Sequence, residues 1–152
     1  MTSVELMTNL AEYIREVVAE YSTTQKAGIV PIKVYRGWPP VRISSAEKES
    51  FIYALALDWT DNQDGDYSTC NVEIGFSIYD DDREDGWQSL YNVMEHVRQA
   101  LLEKRTLNGR STLILPLKSE VSDSQNFPQW QGMITATYTL GQPQEELIDY
   151  GF

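Results

Sequence analysis

The apolar residues of this chain fall into two helical stripes, set among runs that alternate. Met7, Leu10, Ile14, Val17, Val18 and Tyr21 recur at three- and four-residue spacing, while Asn9, Glu12, Arg15, Glu16 and Glu20 lie off that stripe. The spacing predicts an amphipathic helix from about Val4 to Tyr21. Thr2-Ser3-Val4-Glu5 opens it in the form of a capping box, and Ser22-Thr23-Thr24 stops it. A second stripe joins Trp87, Leu90, Met94, Val97 and Leu101, widened by Val93 and Ala100. Lys104 and Arg105 fall in its expected last turn, where cations suit the negative end of the helix dipole. Asn108-Gly109 then marks a turn.

The remaining runs have the two-residue period of strands. Val30–Arg36 is one, and Pro31 puts it at a sheet edge or a strand start. Phe51–Trp59 is apolar on both faces, as in a central strand covered on both sides. Asn71–Tyr79 alternates, with Val72, Ile74, Phe76 and Ile78 inward. The Asp-, Asn- and Gly-rich stretch Thr60–Cys70 between these two predicts a hairpin with a long polar tip. Thr112–Val121 carries Pro116, which implies an edge or a bulge. Trp130–Leu140 is rich in Thr and Tyr, which suit a pleated surface.

The order is helix, strand, hairpin, helix, hairpin. It predicts an α+β fold: a single sheet of about five mostly antiparallel strands with two helices packed on it. Residues 1–141 form that one domain and 142–152 a C-terminal tail. The link from Tyr79 through the second helix to Thr112 is expected to be a crossover.

Composition narrows the function. The chain has 152 residues, enough for one domain with a real core. It carries 12 Lys and Arg against 23 Asp and Glu, a formal net charge of -11. That balance argues against a grip on nucleic acid or on an anionic membrane, both of which need clustered cations. Cys70 is the only cysteine, so no intrachain disulfide forms and a reducing compartment is expected. The N-terminus has no basic start followed by an apolar run, and no stretch approaches the ~20 apolar residues of a membrane span. A soluble, non-secreted protein is the expectation.

The densest chemistry is Asp80-Asp81-Asp82-Arg83-Glu84-Asp85, just before Gly86-Trp87. Three readings are open: a metal site, a helix-start device, or a surface that repels anions. Counting register removes the EF-hand. Anchored on Gly86, it puts Arg83 inside the cage and Asn92 where a bidentate Glu is needed; anchored on Gly65, it ends on Asn71. Asp85 is positioned to cap the second helix, and acids near a helix start contribute roughly 0.3–1 kcal/mol each. That accounts for Asp85 and Glu84 and leaves Asp80 to Asp82. His96 is the only histidine and flanks the second stripe, as a structural or solvated residue does. Cys70 has no basic neighbour to activate it, and zinc needs more His and Cys than these two. Asp58 and Glu73 are available as a carboxylate pair, but nothing singles them out. No catalytic residue, metal or cofactor is expected.

The layout as a whole resembles the tail terminator, or tail completion, proteins of long-tailed bacteriophages. The resemblance rests on the long first helix, the strand Val30–Arg36 ending at Gly37-Trp38-Pro39-Pro40, and the hairpin. It also rests on the helix opening Gly86-Trp87-Gln88-Ser89-Leu90 and the late strand Trp130-Gln131-Gly132-Met133-Ile134-Thr135-Ala136-Thr137-Tyr138. It implies a non-enzymatic virion protein, present in the host cytoplasm during assembly. Such a protein forms a ring, hexameric in that family, that caps the tail tube, ends its polymerisation and docks to the head connector. DNA passes through the ring without specific binding. Acids around a pore set up a repulsive field reaching about 8 Å at physiological salt. Asp58, Asp61, Asp64, Asp66, Asp80, Asp81, Asp82 and Glu84 are therefore expected to face the lumen or a basic partner ring. Trp38, Trp59, Trp130, Leu147, Ile148, Tyr150 and Phe152 are the expected subunit contacts. The alternative reading is a small intracellular acidic module that binds a divalent cation or a basic protein.

Overall fold

The computed structural model describes residues 1–19, 22–25, 28–40, 49–63 and 67–143, with backbone alone for 22–25 and 28–30. Asp64, Asp66, Leu147, Ile148, Tyr150 and Phe152 lie outside the described residues. The described part is α+β, with two helices and one mixed sheet.

Helix α1 spans Ser3–Val18, and Thr2 caps it by accepting from the Glu5 N–H at 3.1 Å. Its buried face is Leu6, Leu10, Ala11, Ile14 and Val18. The stripe is thus centred about one position earlier than the sequence pattern placed it, because Leu6 and Ala11 belong to it and Met7 only flanks it. Helix α2 spans Trp87–Glu103 and buries Leu90, Val93, Met94, Val97 and Leu101, as its spacing predicts. Trp87 heads that stripe but is exposed, since it precedes the first covered turn. Lys104 and Arg105 lie just past the last turn rather than in it; the Arg105 Nε still donates to the Leu102 carbonyl at 3.0 Å.

The strands are β1 (Ser22–Gln25), β2 (Gly28–Arg36), β3 (Ser50–Thr60), β4 (Tyr67–Tyr79), β5 (Thr106–Leu107), β6 (Ser111–Val121) and β7 (Gln129–Gly141). Their order in the sheet is β1-β2-β3-β4-β7-β6-β5. The count rises from about five to seven because two short strands flank the others. β1 falls where the sequence signals only the end of α1. All pairings are antiparallel except β2 with β3. β7 inserts between β4 and β6 and runs against both, so the α2 crossover joins two parallel strands.

The prolines act locally. β2 is not a plain edge strand: Pro31 sits at the last β1 pair, and pairing with β3 starts one residue later, at Ile32 opposite Ser50. Pro116 lies inside the register shift between Ile114 and Lys118, the bulge its presence implies. β3 carries a second bulge, at Leu57. It moves Trp59 opposite Cys70, onto the sheet face that carries Val72 and Ile74, and away from the face of Phe51 and Tyr53. β3 is covered through Leu55 and exposed from Leu57 to Thr60, so the central-strand reading holds for its first half only.

Both helices pack on one face of the sheet, over Ile52, Ala54, Val72, Ile74, Ile78, Ile134 and Ala136. Each Ile or Val among them contributes roughly 1.5–3 kcal/mol by leaving water. The helices are joined by the Tyr13 hydroxyl, which donates to the Ala100 carbonyl at 2.9 Å, and by His96, whose Nε2 meets the Val17 carbonyl at 2.9 Å. His96 therefore has a structural contact. On the opposite face, the Tyr53 ring lies over Gly75, its register partner, where any β-carbon would overlap the ring. Burial, with Glu73 beside it, raises the Tyr53 hydroxyl above its ordinary pKa.

Tyr138 is the anomaly of the core. Its side chain is fully buried and its hydroxyl has no hydrogen-bond partner among the described residues. Burial holds that hydroxyl well above the usual tyrosine pKa. An unsatisfied buried hydroxyl costs about 1–3 kcal/mol. Tyr138→Phe is therefore expected to raise stability by about 1 kcal/mol and Tm by about 2–4 °C. Thermal denaturation followed by circular dichroism checks it; an unchanged or lower Tm would mean the hydroxyl is satisfied in solution.

Candidate functional site

The acidic run forms a turn between β4 and α2. The Asp80 N–H donates to the Pro128 carbonyl at 3.0 Å, which anchors the turn to the segment before β7. One Asp80 carboxylate oxygen accepts from the Asp82 N–H at 3.0 Å, and the other accepts from the Ser89 hydroxyl at 2.5 Å. The Asp82 carboxylate accepts from the N–H groups of Glu84 at 3.0 Å and Asp85 at 3.2 Å. Side chains of Asp type stabilise turns in this way because they reach backbone donors two and three residues on. The Trp130 indole N–H donates to the Asp80 carbonyl at 3.0 Å, and the Trp87 indole N–H donates to the Glu84 carbonyl at 3.0 Å.

This corrects the capping assignment. Gly86, not Asp85, stands at the N-cap of α2, and no side chain caps it there. Asp82 does the work one turn earlier, and Asp80 ties the turn to the helix through Ser89. Of the run, Asp81, Glu84 and Asp85 are exposed and make no side-chain hydrogen bond among the described residues. The two kinds of acid are separable by mutation. Asp82→Ala is expected to lower stability by about 1–2 kcal/mol, whereas Asp81→Ala changes it by less than about 0.5 kcal/mol. Urea unfolding of the two variants is the test, and equal midpoints would refute the assignment.

Beside the turn, Arg83 lies 4.6 Å from the centre of the Phe127 ring, and Phe127 meets Trp130 edge to face. Trp87 and Tyr91 pair edge to face on the exposed side of α2. Trp130 is only partly exposed and packs against the core, so it has a role within the subunit as well as a candidate place between subunits. Trp38 and Trp59 are the most exposed tryptophans, at 79% and 57%.

The hairpin end carries the other acids. The Asp58 carboxylate accepts from the Asn71 amide at 2.7 Å, and Asp61 accepts from the Ser68 hydroxyl. Gln142 bonds both backbone groups of Asn62, which closes the end of β7 against the hairpin. Asp58 and Glu73 each have a neighbour of their own, Asn71 and Tyr53. Among the described residues, no three His, Cys, Asp or Glu side chains gather as a metal-ligand set. A groove of about 610 Å³ at the start of α1 is lined by Met1, Val4, Glu5, Thr8, Asn9, Arg36, Asn108 and Arg110. Within it, Arg110 pairs with Glu5 at 3.7 Å and Arg36 donates to Thr8 at 3.1 Å.

Cys70 is fully buried on the helix-covered face. Burial, reinforced by Asp58, pushes its thiol up to about 11 from 9.0. The thiolate is the reactive form, so native Cys70 is expected to resist a thiol reagent at pH 8 and to react on unfolding in urea. The same shift gives a sign to alkaline stability. Between pH 9 and about 11 the unfolded chain releases this proton while the folded chain keeps it. Its contribution is complete below pH 9 and is lost as the pH rises through that window.

No family model and no curated protein matches the sequence. Solved structures do match the fold. A chain in the virion of a native gene transfer agent particle superposes with a TM-score of 0.55, covering 93% of this chain and 100% of that one at 14% identity. The sheath/tube terminator of an extracellular contractile injection system in its extended state aligns over 90% of this chain and 57% of that one. Its TM-score is 0.38 at 12% identity, too loose a superposition to argue from. This chain therefore shares its fold, over 93% of its length, with a chain of a gene transfer agent virion.

Proposed function

We propose that this protein is a structural component of a phage-type tail. It forms a ring at the end of the tail tube, ends tube polymerisation and joins the tube to the head connector. The observation that carries this is the fold match to a gene transfer agent virion chain along nearly its whole length. The composition is in keeping with it: a net charge of -11 per subunit, multiplied around a ring, lets DNA pass without being held. The exposed carboxylates of Asp81, Glu84 and Asp85 are free to face the lumen or a basic partner. Asp80 and Asp82 each accept two hydrogen bonds inside the turn. The described residues present a built turn and a built sheet edge, both suited to holding shape and touching neighbours.

The test is reconstitution. Tail-tube protein from the same particle, polymerised with increasing amounts of this chain, should give progressively shorter tubes with a ring at one end in negative-stain images. Tube lengths that do not respond to the added chain would contradict the proposal.

A further inference from the structure

The two ends of the helix layer carry opposite charge. The groove at the start of α1 also takes in the turn past the end of α2, through Asn108 and Arg110. Its volume of about 610 Å³ falls within the roughly 300–1,000 Å³ of clefts that hold a ligand. Arg36 and Arg110 line it against one acid, Glu5. A smaller groove of about 310 Å³ continues it past Thr8 and Arg36, adding Arg15 and Glu12. In a chain of net charge -11, three arginines against two acids is a local excess of cations. The exposed Arg36 guanidinium gives one of its five donors to Thr8 and has no ion pair among the described residues. Arg110 meets Glu5 at 3.7 Å, well beyond the roughly 2.7–2.9 Å of a charge-assisted hydrogen bond. Both side chains therefore keep donors for further carboxylates.

The acidic turn stands at the opposite end. The helices run antiparallel, since Tyr13 meets Ala100 while Val17 meets His96. The turn precedes α2 and the groove follows it, so the 17 residues of that helix hold them about 25 Å apart. Neither surface reaches the other within one chain. Asp81, Glu84 and Asp85 are the free carboxylates of the turn. Beside them Trp87 is exposed, held by its bond to the Glu84 carbonyl and by the Tyr91 ring. The groove has an exposed apolar side chain as well, Val4.

We propose that the acidic turn of one copy docks in the Arg36–Arg110 groove of a second copy. Asp81, Glu84 and Asp85 accept from the two guanidiniums, and Trp87 packs on Val4 as the apolar anchor. The occupant is a second copy because this chain supplies both halves of the charge match, each on described residues. Surfaces at opposite ends of one layer make a head-to-tail contact, the kind of interface that closes into a ring. The inference rests on the ring assembly proposed above and names the contact that builds it.

Paired cysteines and charge reversal test it. Val4→Cys with Asp81→Cys in one chain, free and on polymerised tail tubes, is treated with a short bismaleimide at neutral pH, where Cys70 is buried. A ladder of covalent dimers, trimers and larger species is expected on denaturing gels, and neither single variant should form one. On that background Arg36→Glu with Arg110→Glu should lower the ladder yield several-fold, and so should Glu84→Lys with Asp85→Lys. All four reversals in one chain should restore it. Added salt should weaken the ladder without any reversal, which keeps the test valid if a reversed variant loses its native circular dichroism. Loss of the ladder on reversing the groove but not the turn would assign the groove to another acidic segment and overturn the contact. Tube-end rings visible by electron microscopy without the ladder would overturn the contact and leave the ring reading standing. A ladder in a protein that never shortens tubes would uphold the contact and sink the proposed function. Neither ring nor ladder, free or on tubes, would overturn both.

Discussion

Trp130→Ala is expected to lower folding stability by about 3 kcal/mol and Tm by about 6–12 °C. The indole sits at the junction of three elements. Its N–H donates to the Asp80 carbonyl, its ring meets Phe127 edge to face, and its side chain packs against the buried core. Truncation removes the large apolar group and leaves the Asp80 carbonyl without its donor. Trp130→Phe keeps most of the packing and loses the bond, so a smaller fall, about 1 kcal/mol, is expected. Calorimetric melting of the two variants reads both terms. A Trp130→Ala protein that melts like the wild type but no longer assembles would show that this side chain works only between subunits.

Gly86→Ala is expected to lower stability by about 1–3 kcal/mol, although substitution of glycine at an αR position ordinarily stabilises by about 0.4–1 kcal/mol. Gly86 has φ -60° and ψ -28°, which alanine adopts freely, so backbone conformation is not the obstacle. Space is. A β-carbon there would lie 2.4 Å from the Asp82 carbonyl oxygen and 2.9 Å from the Trp130 Nε1. The carbonyl cannot retreat cheaply, because it accepts the Gly86 N–H at 3.0 Å within the turn that Asp82 caps. In the double variant with Trp130→Ala the indole clash is gone and the carbonyl clash remains. The two effects should therefore sum to less than their separate values. Chemical denaturation measures each. A Gly86→Ala variant at least as stable as the wild type would mean that the turn relaxes at no cost.

Both predictions concern the acidic turn, and they show where the sequence was legible. A burst of acids before a helix does signal a helix-start device. The residue that caps is Asp82 rather than Asp85, because the chain makes one extra turn before α2, and no periodicity announces that turn. Helix α2 and strand β4 follow from their spacing alone: their stripes are long, and one face of each is buried. β1 was not legible, since Ser22–Gln25 has no apolar alternation and gains its strand form by pairing with β2. Trp59 changed face because of a one-residue bulge at Leu57, and in a period-two element one residue reverses every side chain beyond it. Nor does any local pattern encode that β7 enters between β4 and β6. That placement comes from the long antiparallel register of β4 with β7, Tyr67 with Gly141 through Tyr79 with Gln129.

The exposed features now divide by role. Asp80, Asp82 and Trp130 hold the subunit together, while Trp38, Leu57 and Trp59 are exposed apolar side chains. Asp81, Glu84 and Asp85 remain as free charge at the surface. The acidic turn lies at one end of the sheet and the exposed Leu57 and Trp59 at the other.

The most direct measurement is the tail-length distribution of particles whose genome lacks this chain. Tails that overgrow, vary in length and carry no heads are expected, with normal tails restored when the chain is supplied in trans. Tails of normal, uniform length joined to filled heads would contradict it.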